Sequence, residues 1–256
     1  MSKVVLVSGA GRGLGASIAE SFIDSGYRVA INYSSSKEKA EELSARLGDS
    51  AKPFKADITD VDQVLGMCDE IHSHFGVYPA VLINNAMANY VFNGDLRKKA
   101  EEISWKEMQD HIDVTIKGSL NLIQALVPKM KEEKFGRVIN IGTNLVQNPV
   151  VPYHDYTIAK GGLLALTRTF AKDLGQYGIT VNMVSGGLLK VTDASAATPD
   201  EVFEAIAQMT PLQKVTTVKD LADAVVFFAS DASRAITGQN LTVDGGLTFN
   251  LSLIHI

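Results

Sequence analysis

Short apolar runs alternate along the chain with longer stretches whose apolar residues recur every three or four positions. Val4–Val7, Arg28–Ile31, Ala51–Lys55, Ala80–Ile83, Arg137–Ile141, Ile179–Val184 and Asn240–Val243 have the length of strands, and all but Ala51–Lys55 carry β-branched residues. Between them, helical periodicity predicts helices over Gly13–Ser25 (through Leu14, Ile18 and Phe22), Lys37–Leu47, Val61–Phe75, Glu101–Lys131, Asp155–Tyr177 and Val218–Phe228. A shorter amphipathic piece spans Pro199–Met209. Runs such as Val-Val-Leu-Val are apolar throughout, as strands covered on both faces must be. Strand–helix alternation therefore predicts an α/β fold: a doubly wound parallel sheet of about seven strands, with helices on both faces. Ligands of such sheets bind at the carboxyl ends of the strands, so the chemistry is sought just after each run. No Pro/Gly/Ser-rich linker and no internal repeat divides the chain, and residues 1–250 are expected to form one domain.

Composition narrows the classes. Of 256 residues, 46% are hydrophobic and 21% charged, which excludes a disordered or collagen-like chain. The single cysteine, Cys68, cannot form an internal disulfide and reads as a small buried hydrophobe. A net charge of −5 provides no bulk attraction to nucleic acid. No apolar run reaches the ~20 residues needed to span a bilayer, and the N-terminus lacks the cleavage region of a signal peptide. The expectation is a soluble cytoplasmic protein with no membrane or nucleic-acid partner.

Candidate chemistry begins in the loop after the first strand, Ser8-Gly9-Ala10-Gly11-Arg12-Gly13-Leu14-Gly15. Glycines let a backbone approach a pyrophosphate, and the following helix offers free N–H groups and a positive dipole end. A strand, a glycine loop and a helix in succession therefore predict a dinucleotide site, against the plainer reading of a tight turn. The second strand ends Asn32-Tyr33-Ser34-Ser35-Ser36, with no carboxylate to bond a ribose 2′-hydroxyl or repel a 2′-phosphate. Arg12 and the serine hydroxyls can serve a phosphate, so NADP(H) is expected over NAD(H). Further along, Tyr156-Thr157-Ile158-Ala159-Lys160 places a phenol and an ammonium on one helix face, where the cation would lower the phenol's pKa. About half such a match arises by chance at this composition, and Tyr33–Lys37 is a second one, read as a solvated turn. Tyr156 differs because it follows a strand ending Ile141-Gly142-Thr143, which supplies a hydroxyl at the sheet's carboxyl edge.

With these residues in place, the chain resembles the short-chain dehydrogenase/reductase family from Lys3 to about Leu247. The matching positions are Ser8-Gly9-x-x-x-Gly13-x-Gly15, Asp57, Asn84-Asn85-Ala86, Thr143, Tyr156-x-x-x-Lys160, Val181-Asn182 and Val243-Asp244-Gly245-Gly246. It looks most like the 3-oxoacyl-carrier-protein reductase branch. The resemblance implies a Rossmann-type sheet and a hydride transfer between nicotinamide and a carbonyl or alcohol. Tyr156 would protonate the carbonyl oxygen, Lys160 would depress its pKa and hold the nicotinamide ribose, and Thr143 would bond the substrate oxygen. Asp57 would meet the adenine amine, and Asn84 with Ala86 would line the cofactor cleft. Gly9, Arg12, Gly13, Leu14, Gly15, Asn32, Tyr33, Ser34, Ile58, Gly187 and Leu189 complete the expected cofactor site. Met87, Asn144, Val151 and Leu188 are the expected substrate contacts, with Leu189 and Val146 adding to an apolar pocket, and residues 188–211 stand where the family has its substrate lid. The family commonly assembles as dimers or tetramers through its long helices.

Several positions depart from the family. Thr115 occupies the place of a fourth catalytic residue, an asparagine that holds a relay water. Met87 replaces a glycine, Thr143 a serine and Gly186 a proline, and Val191 with Thr192 stands at a usual threonine. Two readings remain open: a working reductase with a reshaped pocket, or an NADP(H)-binding member with weak or no turnover that acts as a regulatory protein. His72 and His74 lack a metal-ligand set and read as surface residues. Trp105 reads as packing on its helix, and Lys129–Lys134 as a solvated face. His154-Asp155 does not suggest a hydrolase, because no Gly-x-Ser-x-Gly elbow exists. Residues 251–256, Leu-Ser-Leu-Ile-His-Ile, have no family counterpart. They are expected to be an artefact of cloning or assembly, the alternative being an apolar segment that packs on a neighbouring subunit.

Overall fold

A computed structural model describes residues 3–249 except Asn89, Val191, Asp193, Ala194 and Ala197. The six-residue tail and the departure at Val191 lie outside the described residues. Seven strands form one sheet: β1 (Val4–Val7), β2 (Arg28–Tyr33), β3 (Ala51–Lys55), β4 (Val81–Asn84), β5 (Gly136–Thr143), β6 (Ile179–Gly186) and β7 (Asn240–Val243). Their order is β3-β2-β1-β4-β5-β6-β7 and every pair is parallel. The direction of winding reverses between β1 and β4, which opens a crevice at the carboxyl ends of those two strands.

Alternate residues of each strand feed the two cores. Val5, Val7, Val29 and Ile31 face one layer, packed under α1 (Gly13–Asp24), α2 (Lys37–Leu47) and α8 (Val218–Ala229) through Ile18, Phe22, Leu43, Leu221 and Phe228. Val4, Leu6 and Ala30 face the other, under α3 (Val61–Phe75), α5 (Gly118–Glu132) and α6 (His154–Leu174) through Val64, Met67, Leu122, Leu126 and Leu174. The remaining helices are α4 (Trp105–Ile112) and α7 (Asp200–Met209).

The one long helix expected over Glu101–Lys131 is three pieces. Ser104 starts α4 with a capping box: its Oγ accepts from the Glu107 N–H at 3.3 Å, and the Glu107 carboxylate accepts from the Ser104 N–H at 3.0 Å. A π-helical turn over Asp113–Lys117 then joins α4 to α5. Trp105, the first residue of α4, lies outside the core and is 69% exposed, which corrects the packing role expected for it. Helix α6 gives way to a 3-10 turn at Gly175–Tyr177, three residues before its expected end.

Candidate active site

The loop after β1 is held by Ser8. Its Oγ donates to the Ile83 carbonyl at 3.2 Å and accepts from the Asn85 and Ala86 N–H groups at 3.0 Å each. Asn85 returns the bond through Nδ2, to the carbonyls of Ser8 (2.9 Å) and Gly9 (3.2 Å). Asn32 closes the other side: its Oδ1 accepts from the Gly9 N–H at 3.2 Å while Nδ2 donates to the Ala56 carbonyl at 3.1 Å. Gly9 has a φ of +62°, and a Cβ there would lie 2.9 Å from the Ala86 Cα. At Gly15 a Cβ would lie 2.5 Å from the Gly9 carbonyl oxygen and 2.6 Å from Asn85 Nδ2. The glycines are thus required by the contact of two loops and an incoming helix. The first turn of α1 carries no side-chain cap, so its N–H groups are offered to the crevice beside Arg12.

A cleft of about 1240 Å³ runs from this loop along the carboxyl edge of the sheet. It brings together Gly9, Arg12, Gly13, Leu14, Gly15, Asn32, Tyr33, Ser34, Asp57, Ile58, Ala86, Gly187 and Leu189 of the expected cofactor set, and Met87, Asn144, Val151 and Leu188 of the expected substrate set. Thr143, Tyr156 and Lys160 line its middle, and α7 borders it through Val202, Ile206 and Met209. Three expectations are corrected. Asn84 lies beneath the cleft wall, where its Nδ2 donates to Asn140 Oδ1 at 2.7 Å, and Asn85 takes its place on the surface. Val146 does not reach the cleft, which Leu145 lines instead. Tyr33 is buried against the α1–α2 core, not in a solvated turn.

Thr115 also misses the cleft. It is buried on the π-turn, its Oγ1 has no hydrogen-bond partner, and its carbonyl accepts from Ser119 Oγ at 2.7 Å. Asp113 and Val114 of the same turn do line the cleft.

Burial dominates the electrostatics of the central residues. It pushes the Tyr156 phenol up to about 12, against a smaller lowering from its hydrogen bond with Thr143. It pushes the Lys160 ammonium down to about 8. The expected lowering of the phenol by Lys160 does not prevail. Lys160 Nζ donates to the Ile141 carbonyl at 2.6 Å and sits 5.8 Å from the centre of the Tyr156 ring. The phenol is therefore protonated at neutral pH and can act as an acid.

Sequence reasoning missed a cluster beside Tyr156. Tyr90 stacks on its ring, with centroids 5.5 Å apart and planes inclined by 21°, and Phe92 meets it edge-on at 5.4 Å. Asp155, Arg97, His111 and Tyr153 complete the group. None belongs to a motif, and only the fold carries Tyr90 and Arg97 to α6. Elsewhere, His72 and His74 are exposed as expected, and no cluster of His, Cys, Asp or Glu able to hold a metal occurs among the described residues. Cys68 is buried, and burial pushes its thiol up to about 12.

A family model described as enoyl-(acyl carrier protein) reductase matches residues 9–248. The chain is 38% identical over 253 residues to a 3-oxoacyl-[acyl-carrier-protein] reductase of Staphylococcus aureus, covering 96% of this chain and 98% of that one. It is 32% identical over 245 residues to the enzyme of the same name from Haemophilus influenzae, covering 96% and 98%. In structure it is similar to a protein of Agrobacterium tumefaciens provisionally assigned as a gluconate dehydrogenase. That match has a TM-score of 0.85 at 27% identity and covers 96% of this chain and 95% of the other.

Proposed function

The chain belongs to the short-chain dehydrogenase/reductase family of oxidoreductases, and from that premise we propose that it is an NADPH-dependent reductase of 3-oxoacyl and related ketone carbonyls. The observation that carries the reading is the meeting of Thr143, Tyr156 and Lys160 in the same cleft as the glycine loop.

The residues fit NADP(H). Side chains at Gly9 and Gly15 would collide with Ala86 and the loop's own backbone, which keeps the approach to a pyrophosphate open. The end of β2 offers Asn32, Tyr33 and Ser34 with no carboxylate, and Arg12 adds a cation on that side of the cleft. When bound, the nicotinamide supplies the hydride that reduces the carbonyl. Tyr156, protonated at neutral pH, holds the proton for the carbonyl oxygen. Thr143, hydrogen-bonded to Tyr156, orients that oxygen. Lys160, fixed by Ile141, keeps positive charge close to the phenol as its proton leaves.

The substrate end is apolar, lined by Met87, Leu145, Val151, Leu188, Ile206 and Met209. Among the described lining residues the cations are Arg12 and Lys160. Neither is free to pair with a substrate carboxylate once cofactor is bound, which favours a neutral acyl carbonyl over a sugar acid. A second reading, an NADP(H)-binding regulatory protein with little turnover, is favoured by Thr115, whose side chain stays out of the cleft. The substrate lid is assigned to residues 188–211 of a single domain. The protein is proposed to act in the cytoplasm as a dimer or tetramer. No described helix is long and apolar enough to cross a membrane.

The deciding assay follows NADPH oxidation with acetoacetyl thioesters, β-ketoesters and diketones. Turnover should fall by about 10²–10⁴-fold in Tyr156→Phe, the range of general acid catalysis. Tight NADPH binding with no turnover on any of them would decide for the regulatory reading.

A further inference from the structure

We propose that Asp155 is a positioning residue for Tyr156: its carboxylate latches the segment after β4 onto the first turn of α6 and thereby holds the Tyr90 ring against the Tyr156 ring. This rests on the reading of Tyr156 as the proton donor.

Asp155 is 2% exposed, next to Tyr156 in sequence. A carboxylate so deeply buried is tolerated only with partners. Arg97 Nη2 lies 2.6 Å from Oδ2, and the Tyr90 hydroxyl donates to Oδ1 at 3.1 Å. His111 Nε2 stands 3.7 Å from Oδ2. Arg97 and Tyr90 both belong to the stretch between β4 and α4, so one carboxylate fastens that stretch at two points. A third fastening comes from the neighbouring residues, where the Gly94 N–H donates to the Tyr153 hydroxyl at 2.7 Å.

These bonds set the place of Tyr90. Its hydroxyl is pinned by Asp155, and the Arg97 guanidinium lies over its ring at 4.1 Å from the centroid. His111 meets the ring edge-on at 4.6 Å. Burial and the nearby carboxylate raise the Tyr90 phenol well above its ordinary range, so it remains a donor at every working pH. Held in this way, Tyr90 stacks on Tyr156 and excludes water from one side of it. A reacting hydroxyl needs one fixed direction, and a wall latched by a charge pair provides it. Releasing the latch frees the ring and admits water to the phenol.

The test uses the full chain with Asp155→Asn, Arg97→Met, Tyr90→Phe and Tyr90→Leu. Asp155→Asn and Arg97→Met should lower kcat by about tenfold or more, while the NADPH dissociation constant stays within about twofold of wild type. Tyr90→Phe keeps the stacked ring and should lose much less, and Tyr90→Leu should match the latch variants. A second measurement needs no turnover. An ultraviolet titration of the phenolate, taken as the difference from the same protein carrying Tyr156→Phe, reports the Tyr156 pKa. With the latch broken that pKa should fall from about 12 toward the ordinary ~10, because burial is what raised it. If folded Asp155→Asn and Arg97→Met keep the wild-type kcat and phenol pKa, the latch is structural only and the proposal is overturned. If wild type itself does not turn over, the reductase reading fails, and the titration alone still decides whether the latch sets the phenol.

Discussion

Lys160 gives up its hydration on folding, and the cost has a pH signature. Its folded pKa near 8 lies below the unfolded ~10.4, so below pH 8 both states are charged and the folded state bears the full desolvation penalty. Between about 8 and 10.4 the folded state sheds its proton first and stability rises. Tyr156 acts oppositely: its folded pKa near 12 exceeds the unfolded ~10, so its contribution is constant below 10 and is lost from 10 to 12. Urea melts across pH 7 to 10 should show the unfolding free energy of wild type, minus that of Lys160→Met, rising by at most about 1.4 kcal/mol per pH unit above 8. A flat difference would show that Lys160 is hydrated in the folded protein. At this scale the sequence was legible where chemistry recurs at fixed spacing, as in Tyr156-x-x-x-Lys160 and Gly9-x-x-x-Gly13-x-Gly15. It was not legible where one polar residue in a loop meets another far along the chain. Ser8 with Asn85, and Asp155 with Arg97 and Tyr90, leave no periodic trace.

The stretch from Glu101 to Lys131 shows what element boundaries depend on. Its apolar periodicity is nearly continuous, which is why a single helix was expected. The start is set instead by Ser104 and Glu107, a box that can be read from Ser-x-x-Glu. Replacing Ser104 by alanine should cost about 1 kcal/mol of unfolding free energy in a denaturant melt, with NADPH binding unchanged because the proposed nucleotide site lies at α1 and β2. The π-turn could not be read, since a slipped hydrogen-bond register changes neither composition nor period over five residues. It has a role in packing. Ile116 from the turn lies over Gly162, where a Cβ would be 2.5 Å from its Cδ1, and Gly118 just after it receives Ile58 equally closely. Asn121 then donates to the Ile58 carbonyl at 2.8 Å, so α5 secures the loop after β3 against the cleft. Strands, by contrast, were located to within two residues, most of them because they are closed apolar runs such as Val4–Val7 and Val81–Ile83.

On the scale of the whole molecule, one sheet carries the residues proposed to hold the nucleotide, after β1, β2 and β4, and those proposed to react, on β5 and α6, and both groups line one cleft. Trp105 on α4 and Ile158 on α6, the latter 50% exposed, leave apolar surface on the helices proposed to meet a second copy. Light scattering should accordingly give two or four times the chain mass across micromolar concentrations, and a monomer mass throughout would remove the dimer or tetramer. The strand order has one more consequence, for the chain as it is made. β1 is synthesised first yet lies in the middle of the sheet, with Val5 paired to Val81 on β4. At 5–20 residues per second, roughly 4–15 s pass between Val5 and that partner. Until then one edge of an entirely apolar strand stands open, and Ser8 lacks Asn85 and Ala86 to organise the glycine loop. The newborn chain is most exposed to mispairing in that interval, and a chaperone would do most good on its first eighty residues.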